Sequence, residues 1–355
     1  MYPDTKTLDR LTAEAVDLLQ SLIRIPAPSR EEGKRADFIE GKLSAWGLRP
    51  QRDLNNIWCQ SAMLPDRPTL LLNAHIDTVR PVKGWLRPPF EPQTEGGRLY
   101  GLGSNDCGGG LVALLQTFRL LRDDASLPWN LIYLATAEEE VSGQGGMEHV
   151  RSLLPHIDCA IVGEPTGMQP AIAEKGLMVL DVTARGRAGH AAREEGVNAI
   201  YAALPDIEWF RTFRFPQVSP LLGPVKMSVT VIQAGTQHNV VPDSCAFTVD
   251  VRSNELYSNR EILDEICRNV SSDVRARSTR LNSSRIAPDH PLVRRAVALG
   301  LRPYGSPTLS DQALMPWPSL KLGPGESSRS HTADEFIRPD EIRGAIALYC
   351  RLLGS

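Results

Sequence analysis

Hydrophobic positions fall into two textures along the chain. In the first half, long apolar runs end abruptly in polar residues: TLLLNAHIDTV (69–79), NLIYLATAEEE (130–140) and CAIVGEP (159–165). Each reads as a buried strand with a polar end. Between them, apolar residues recur at helical spacing. Leu11, Ala15, Leu18, Leu19, Leu22 and Ile23 share one face of an N-terminal helix, with Thr7 near its cap. EEGKRADFIEGKLSAWG (31–47) is a helix closed by Gly47, and GGLVALLQTFRLLRD (109–123) is a helix opened by glycines. Buried strands alternating with helices predict an α/β core with parallel strands.

The texture changes near residue 175. GLMVLDVTARGRAGH (176–190) alternates like a half-exposed strand, and GVNAIYAALPDIEWFRTF (196–213) is amphipathic. KMSVTVIQAGTQHNVVPDSCAFTVDVRS (226–253) reads as two antiparallel strands around a polar loop, and EILDEICRNVSSDV (261–274) as a helix. This is a β-α-β-β-α insert of about a hundred residues, the size of a small domain. A helix (283–301) and a strand running into a polar loop (318–337) then resume the first texture. The expected organisation is a core domain of residues 1–174 and 286–355, split by an inserted domain of residues 175–285.

A chain of 355 residues is long enough for two such domains. A net charge of −3 gives no reason to expect nucleic acid or an anionic membrane as partner. The N-terminus lacks the bracketed apolar core of a signal peptide, and no apolar run reaches membrane-spanning length. The six cysteines are scattered and form no CxxC pair, which predicts reduced thiols and a cytoplasmic protein.

The chemistry lies at the strand ends. His75 and Asp77 follow one strand, Glu138–Glu140 a second and Glu164 a third. Asp106 sits in GLGSNDCGGG, and His331 in SRSHTADEF. In open α/β sheets the carboxyl ends of the strands form the functional crevice. Each fragment alone has a plain explanation. H-x-D is a weak signal, a glutamate run is usually solvated, and Glu164 could be a cap or an ion-pair partner. The glycine loop could cradle phosphate, but it lacks a Gly-Lys-Ser/Thr ending. Together they differ, because carboxylates at the ends of apolar strands are costly without a cation, and imidazole with carboxylate suits zinc.

As a set, LLNAHIDTV, GLGSNDCGGG, ATAEEE, VGEPT, RGRAGHA, GVNAI, NVVPD and GPGESSRSHTADEF make the chain resemble a known family over nearly its whole length. That family is the co-catalytic zinc hydrolases that include acetylornithine deacetylase, succinyl-diaminopimelate desuccinylase, aminoacylase and glutamate carboxypeptidase. The resemblance implies a zinc-peptidase-like α/β domain with a mixed, mostly parallel sheet flanked by helices. It also implies an inserted α+β ferredoxin-like dimerisation or lid domain. Two zinc ions are expected, with cobalt or manganese as substitutes. By resemblance, His75 and Glu164 bind the first ion, Glu140 and His331 the second, and Asp106 bridges them. Asp77 would orient His75, and Glu139 would be the general base. The triple glutamate leaves a second register open, with Glu138 as base and Glu139 as ligand. An acidic residue before the base favours the first.

The same resemblance assigns substrate contacts to His190, Asn239 and Gly325, and a carboxylate clamp to Arg252. It places a homodimer contact on the GVNAI helix and its neighbouring strand. The implied reaction is metal-dependent hydrolysis of the amide of an N-acyl-L-amino acid. PTLSDQA and HTADEF point most closely to deacetylation of acetylornithine or acetylcitrulline in arginine biosynthesis. Deacylation of N-succinyl-ornithine or -citrulline is an alternative, with Arg329 as candidate partner for the extra carboxylate. A di-zinc dipeptidase or carboxypeptidase is another. The chain departs from the family at Cys107-Gly108-Gly109, where relatives carry a hydrophobic residue, lysine and glycine, and at Leu102, where they often carry arginine. A cis peptide is expected between Asp106 and Cys107. His238, beside Asn239 in HNVVPD, reads as a bystander, and His149, His156 and His290 carry no motif and read as surface residues.

Overall fold

The computed structural model describes residues 3–193 and 195–354. The chain forms two compact units. The first comprises residues up to Ile172, Ile286–Tyr304 and the chain from Ser310 on; the second comprises Ala173–Arg285 and Gly305–Leu309.

The first unit opens with helix α1 (Thr5–Ile23), whose N-cap is Asp4: its carboxylate accepts the Thr7 N–H at 2.7 Å. Leu8, Leu11, Ala15, Leu18, Leu19, Leu22 and Ile23 form the buried stripe. Helix α2 (Gly33–Ala45) follows, and Gly47 beyond it adopts the left-handed φ of 74° that turns the chain. The strands are β1 (Gln51–Asp53), β2 (Asn56–Gln60) and β3 (Thr69–His75), then, after helix α3 (Gly109–Leu121), β4 (Asn130–Thr136), β5 (Cys159–Val162) and β6 (Ala171–Glu174).

Strand β6 leads into the second unit. There the order is β7 (Met178–Arg185), α4 (Ala199–Thr212), β8 (Lys226–Ala234), β9 (Ser244–Arg252), α5 (Asn259–Asn269) and β10 (Asp273–Ala276). The strands lie in the order β8-β9-β7-β10, all antiparallel, which is the ferredoxin-like arrangement. Leu180, Val182, Phe210, Phe247, Val249, Ile262 and Ile266 fill its core. Both helices are capped. Asn198 accepts the Ile200 N–H, and Ser258 forms a capping box with Glu261. The fourth strand, β10, is absent from the sequence expectation because it is four residues long and only partly buried. The unit also reclaims Gly305–Leu309. A Cβ on Gly305 would lie 2.3 Å from the Leu221 carbonyl oxygen, so only glycine allows that approach.

Helix α6 (Pro291–Ala298), strand β11 (Ser319–Lys321) and helix α7 (Pro339–Leu353) complete the first unit. Its sheet runs β1-β2-β4-β3-β5-β11-β6. The four central strands β4, β3, β5 and β11 are parallel, and the flanking strands are antiparallel. Every residue of β3, β4 and β5 is buried, as a sheet covered by helices requires. Helix α3 packs against α1 and α7. Its start abuts the end of β5: a Cβ on Gly110 would sit 1.7 Å from the Gly163 carbonyl oxygen. None of the described helices is long and apolar enough to cross a membrane.

Candidate metal centre

The parallel strands all point their carboxyl ends at one place. His75 is the last residue of β3. Glu139 and Glu140 lie in a 3₁₀ turn after β4, and Glu164 follows β5 by two residues. Asp106 lies in the turn that opens α3, and its peptide bond to Cys107 is cis, as expected. His331 arrives on the loop after β11.

Asp106 faces two imidazoles with its two oxygens. His75 Nε2 lies 3.2 Å from Oδ1, and His331 Nε2 lies 3.6 Å from Oδ2. His75 Nε2 is also 3.7 Å from Glu164 Oε1, and His331 Nε2 is 2.8 Å from Glu140 Oε2. The far nitrogen of His75, Nδ1, is 3.0 Å from the Asp77 carbonyl oxygen and 3.4 Å from its Oδ1. With only oxygens near it, Nδ1 carries a proton, which would leave Nε2 as the nitrogen that a cation among the carboxylates can claim.

Asp77 also shapes the turn that carries the glutamates. Its Oδ1 accepts the Glu139 N–H and its Oδ2 the Glu140 N–H, both at 3.1 Å, and the Ser29 hydroxyl donates at 2.7 Å. Glu138, just before, has a left-handed φ of 58°. Its N–H donates to Glu32 Oε1 at 3.2 Å, and its carboxylate turns back to accept the Gly145 N–H at 3.3 Å. A Cβ on Gly143 would lie 1.9 Å from that carboxylate, so the glycine loop is moulded around it. The two registers of the triple glutamate are therefore distinct in space. Glu138 is held in the glycine loop, whereas Glu140 reaches His331.

The electrostatics are those of a cation site. Burial pushes the Glu139 carboxyl well above the ordinary range; His75 opposes this, and the charges of Glu164, Glu140 and Asp311 add to it. Glu164 is pushed up to about 8 by burial and by Asp106. His331 is pulled up to about 9, chiefly by its hydrogen bond to Glu140. Glu164 Oε1 is buried and accepts no hydrogen bond. The ligand atoms of His75, Asp106 and Glu140 lie within 4.8 Å of one another, as do those of His75, Cys107 and Glu164. This donor set fits divalent metal ions of the zinc, cobalt or manganese type. The Cys107 thiol instead accepts the His75 backbone N–H at 3.2 Å, and burial raises its pKa, so it stays a protonated packing group.

Two supporting residues were not singled out from the sequence. Buried Glu335 lies four residues beyond His331, and its carboxylate accepts the N–H groups of Gly103, Asn105 and Asp106 at 2.8–3.1 Å. Its signal was present in HTADEF. Arg35, also buried, donates to the carbonyls of Leu22, Ile25 and Ile76, the last at 2.7 Å, and so braces the turn between His75 and Asp77. A lone arginine in an amphipathic helix gives no such signal.

His75, Asp77, Asp106, Glu139, Glu140, Glu164 and His331 thus converge in the first unit. Gly325, also there, has φ of 85°, and its carbonyl accepts the Gly167 N–H at 2.7 Å. His190, Asn239 and Arg252 belong to the second unit. The Ala191 N–H donates to the Asn239 carbonyl at 3.0 Å, which joins the His190 and Asn239 segments, and both side chains are exposed. Arg252 is held bidentately by Asp250 at 2.9 and 3.0 Å. The guanidinium of Arg329, the candidate partner for a succinyl carboxylate, donates both ways to Glu341, at 2.9 and 3.0 Å, and covers the Phe336 ring. His149 pairs with Asp53 at 2.6 Å, and His290 caps α6 by accepting the Leu292 N–H.

Residues 71–355 match Peptidase family M20/M25/M40. Succinyl-diaminopimelate desuccinylase of Corynebacterium glutamicum is 27% identical over 366 residues, 97% of each chain. Acetylornithine deacetylase of Proteus mirabilis is 31% identical over 291 residues, 76% of this chain and 74% of that one. An aminopeptidase from Bacillus cereus has a TM-score of 0.77 at 19% identity, covering 96% of this chain and 98% of its own. A dinuclear metal-binding M20 peptidase from Bacillus subtilis has a TM-score of 0.73 at 16% identity, covering 97% and 98%. At these identities the two structures share the fold. The family match begins inside β3 and takes in every residue of the strand-end cluster; the chain belongs to Peptidase family M20/M25/M40 and is a metal-dependent amidohydrolase.

Proposed function

We propose that the enzyme hydrolyses the amide of an N-acyl-L-amino acid, with N-acetylornithine as its substrate in arginine biosynthesis. The observation that carries this is Glu139: a half-buried residue whose carboxyl is pushed above its ordinary range and whose backbone N–H is held by Asp77, next to two imidazole–carboxylate groups that share Asp106. We assign His75 and Glu164 to one ion, Glu140 and His331 to a second, and Asp106 to both. Zinc is the expected metal, and cobalt or manganese would serve. Bound ions would supply Lewis acidity towards the amide carbonyl and acidify water.

The chain's own residues then move the proton. Glu139 takes it from the attacking water as the water oxygen bonds to the carbonyl carbon. The C–N bond breaks as Glu139 returns the proton to the leaving amine, and the proton left on the new carboxylic acid passes to the amine or to solvent, giving the carboxylate and the free amino acid. Asp77 holds both the His75 tautomer and the backbone of Glu139. We assign substrate contacts to His190, Asn239 and Gly325, and the α-carboxylate to Arg252, which would exchange or share its Asp250 partner for the substrate.

Assembly through the second unit is part of the proposal. Strand β8 ends its sheet and carries exposed Val231 and Ile232, while α4 exposes Tyr201 and Leu204. An open apolar edge of this kind is a pairing surface, and a second copy is the occupant we assign.

A second reading is desuccinylation, favoured by the relative of that name matching 97% of both chains. On that reading Arg329 would have to leave Glu341, its present partner, to meet the extra carboxylate. Steady-state hydrolysis by the zinc-loaded enzyme separates the cases, with N-acetyl- and N-succinyl-ornithine, the citrulline counterparts, N-succinyl-diaminopimelate and dipeptides compared side by side. Preference for an acetyl substrate supports the first reading. Preference for succinyl substrates supports the second, and preference for dipeptides rejects both.

A further inference from the structure

The metal ligands come from segments far apart in sequence, and something must hold their loops in register. We propose that Glu335 is a positioning residue for the metal centre: its carboxylate templates the loop that presents Asp106, and couples that loop to the segment carrying His331. The proposal rests on the metal-centre assignment above.

The geometry is specific. Oε1 of Glu335 accepts the Asn105 N–H at 2.8 Å and the Asp106 N–H at 2.9 Å, and Oε2 accepts the Gly103 N–H at 3.1 Å. Its backbone carbonyl accepts the Gly101 N–H at 3.0 Å. Four amides between residues 101 and 106 thus bond to one residue, which is 2% exposed. These amides precede the first turn of α3 and have no helical partner, so a carboxylate is the acceptor they need. Asn105 in the same loop donates from Nδ2 to the Glu326 carbonyl at 3.1 Å and accepts the Glu326 N–H at 3.0 Å, and so ties the loop to the approach to His331. Residues 101–108 include no lysine or arginine, so the loop supplies no cation of its own to this carboxylate.

The test uses Co²⁺ alone as probe, read by calorimetric titration of the full metal-free chain and by visible absorption of the Co²⁺ form. Glu335→Gln turns an amide N–H₂ towards backbone donors, and Glu335→Asp keeps the carboxyl group but shortens the reach. The expected result is Co²⁺ affinity weakened by about 10–100-fold in Glu335→Gln, less in Glu335→Asp, with an altered visible spectrum. Asp206→Asn is the control. It removes a comparable buried clamp on the Ser271 and Ser272 amides in the second unit, and should lower stability without changing Co²⁺ affinity. Affinity and spectrum unchanged in Glu335→Gln would overturn the proposal, even if activity fell. Should Glu335→Gln fail to fold, amide hydrogen exchange on the unaltered metal-free chain decides. Slow exchange at Gly103, Asn105 and Asp106 supports the template, and exchange at unprotected rates rejects it. Failure of the unaltered chain to bind Co²⁺ at all would instead reject the metal-centre assignment.

Discussion

In the proposed mechanism, Glu139 is the residue on which the chemistry turns. Replacing it with glutamine keeps the side chain's shape but removes its capacity to accept a proton. Turnover should fall by about 10²–10⁴-fold while the bound metal count stays the same, as measured by steady-state kinetics beside elemental analysis. Loss of metal in parallel with activity would make Glu139 a ligand instead. The protonation of the cluster gives a second prediction. His331 and Glu164 rise from ordinary values of 6.5 and 4.5 to about 9 and about 8 in the folded, metal-free chain. A raised value means that each group's stabilising contribution is complete below its ordinary pKa and is lost as pH rises through the folded one. The metal-free chain should therefore lose thermal stability up to about pH 9. Metal ions compete with those protons, so Co²⁺ affinity should rise over the same window. A flat affinity between about pH 6.5 and 9 would contradict this. At this scale much of the cluster was legible, because residue types suited to a metal are few, and His75, Glu140 and Glu164 stood at or just beyond strand ends while Asp106 and His331 stood in distinctive polar loops. The roles of Glu138 and Arg329 were not. Each depends on a partner far away in sequence or structure, the Gly143–Gly146 loop for one and Glu341 for the other, and a one-dimensional pattern does not print that partner.

At the scale of elements, apolar runs ending in polar residues located β3, β4 and β5 because strands covered on both faces must be apolar throughout. Strand β10 escaped because its alternation, Asp-Val-Arg-Ala, lasts only four residues. The return of Gly305–Leu309 to the second unit escaped because its cause is a backbone contact with Leu221. The packing of α3 on β5 carries a testable consequence. Gly110→Ala places a methyl 1.7 Å from the Gly163 carbonyl, one residue before Glu164. The helix must move, and we expect a loss of about 1–3 kcal/mol in urea unfolding together with weaker metal binding. Gly344→Ala, in α7 with open space around it, should be neutral or slightly stabilising in the same assay.

At the scale of the whole molecule, each unit has its own core, and the second adds an open strand edge to a scaffold that already holds the cluster. If that edge is a dimer surface, the double change Val231→Lys and Ile232→Lys should halve the mass seen by sedimentation equilibrium; an unaltered chain that is monomeric at micromolar concentration would refute the dimer. Metal-dependent hydrolysis of an N-acyl amino acid is tested most directly by one measurement: steady-state hydrolysis of N-acetylornithine by the metal-free chain before and after addition of zinc, with N-succinyl-ornithine and a dipeptide run beside it. We predict no turnover without metal, restoration by about two equivalents of zinc as expected for paired metal sites, and preference for the acetyl substrate. Zinc that binds without restoring hydrolysis of any acyl-amino acid, while the dipeptide is cleaved, would contradict it.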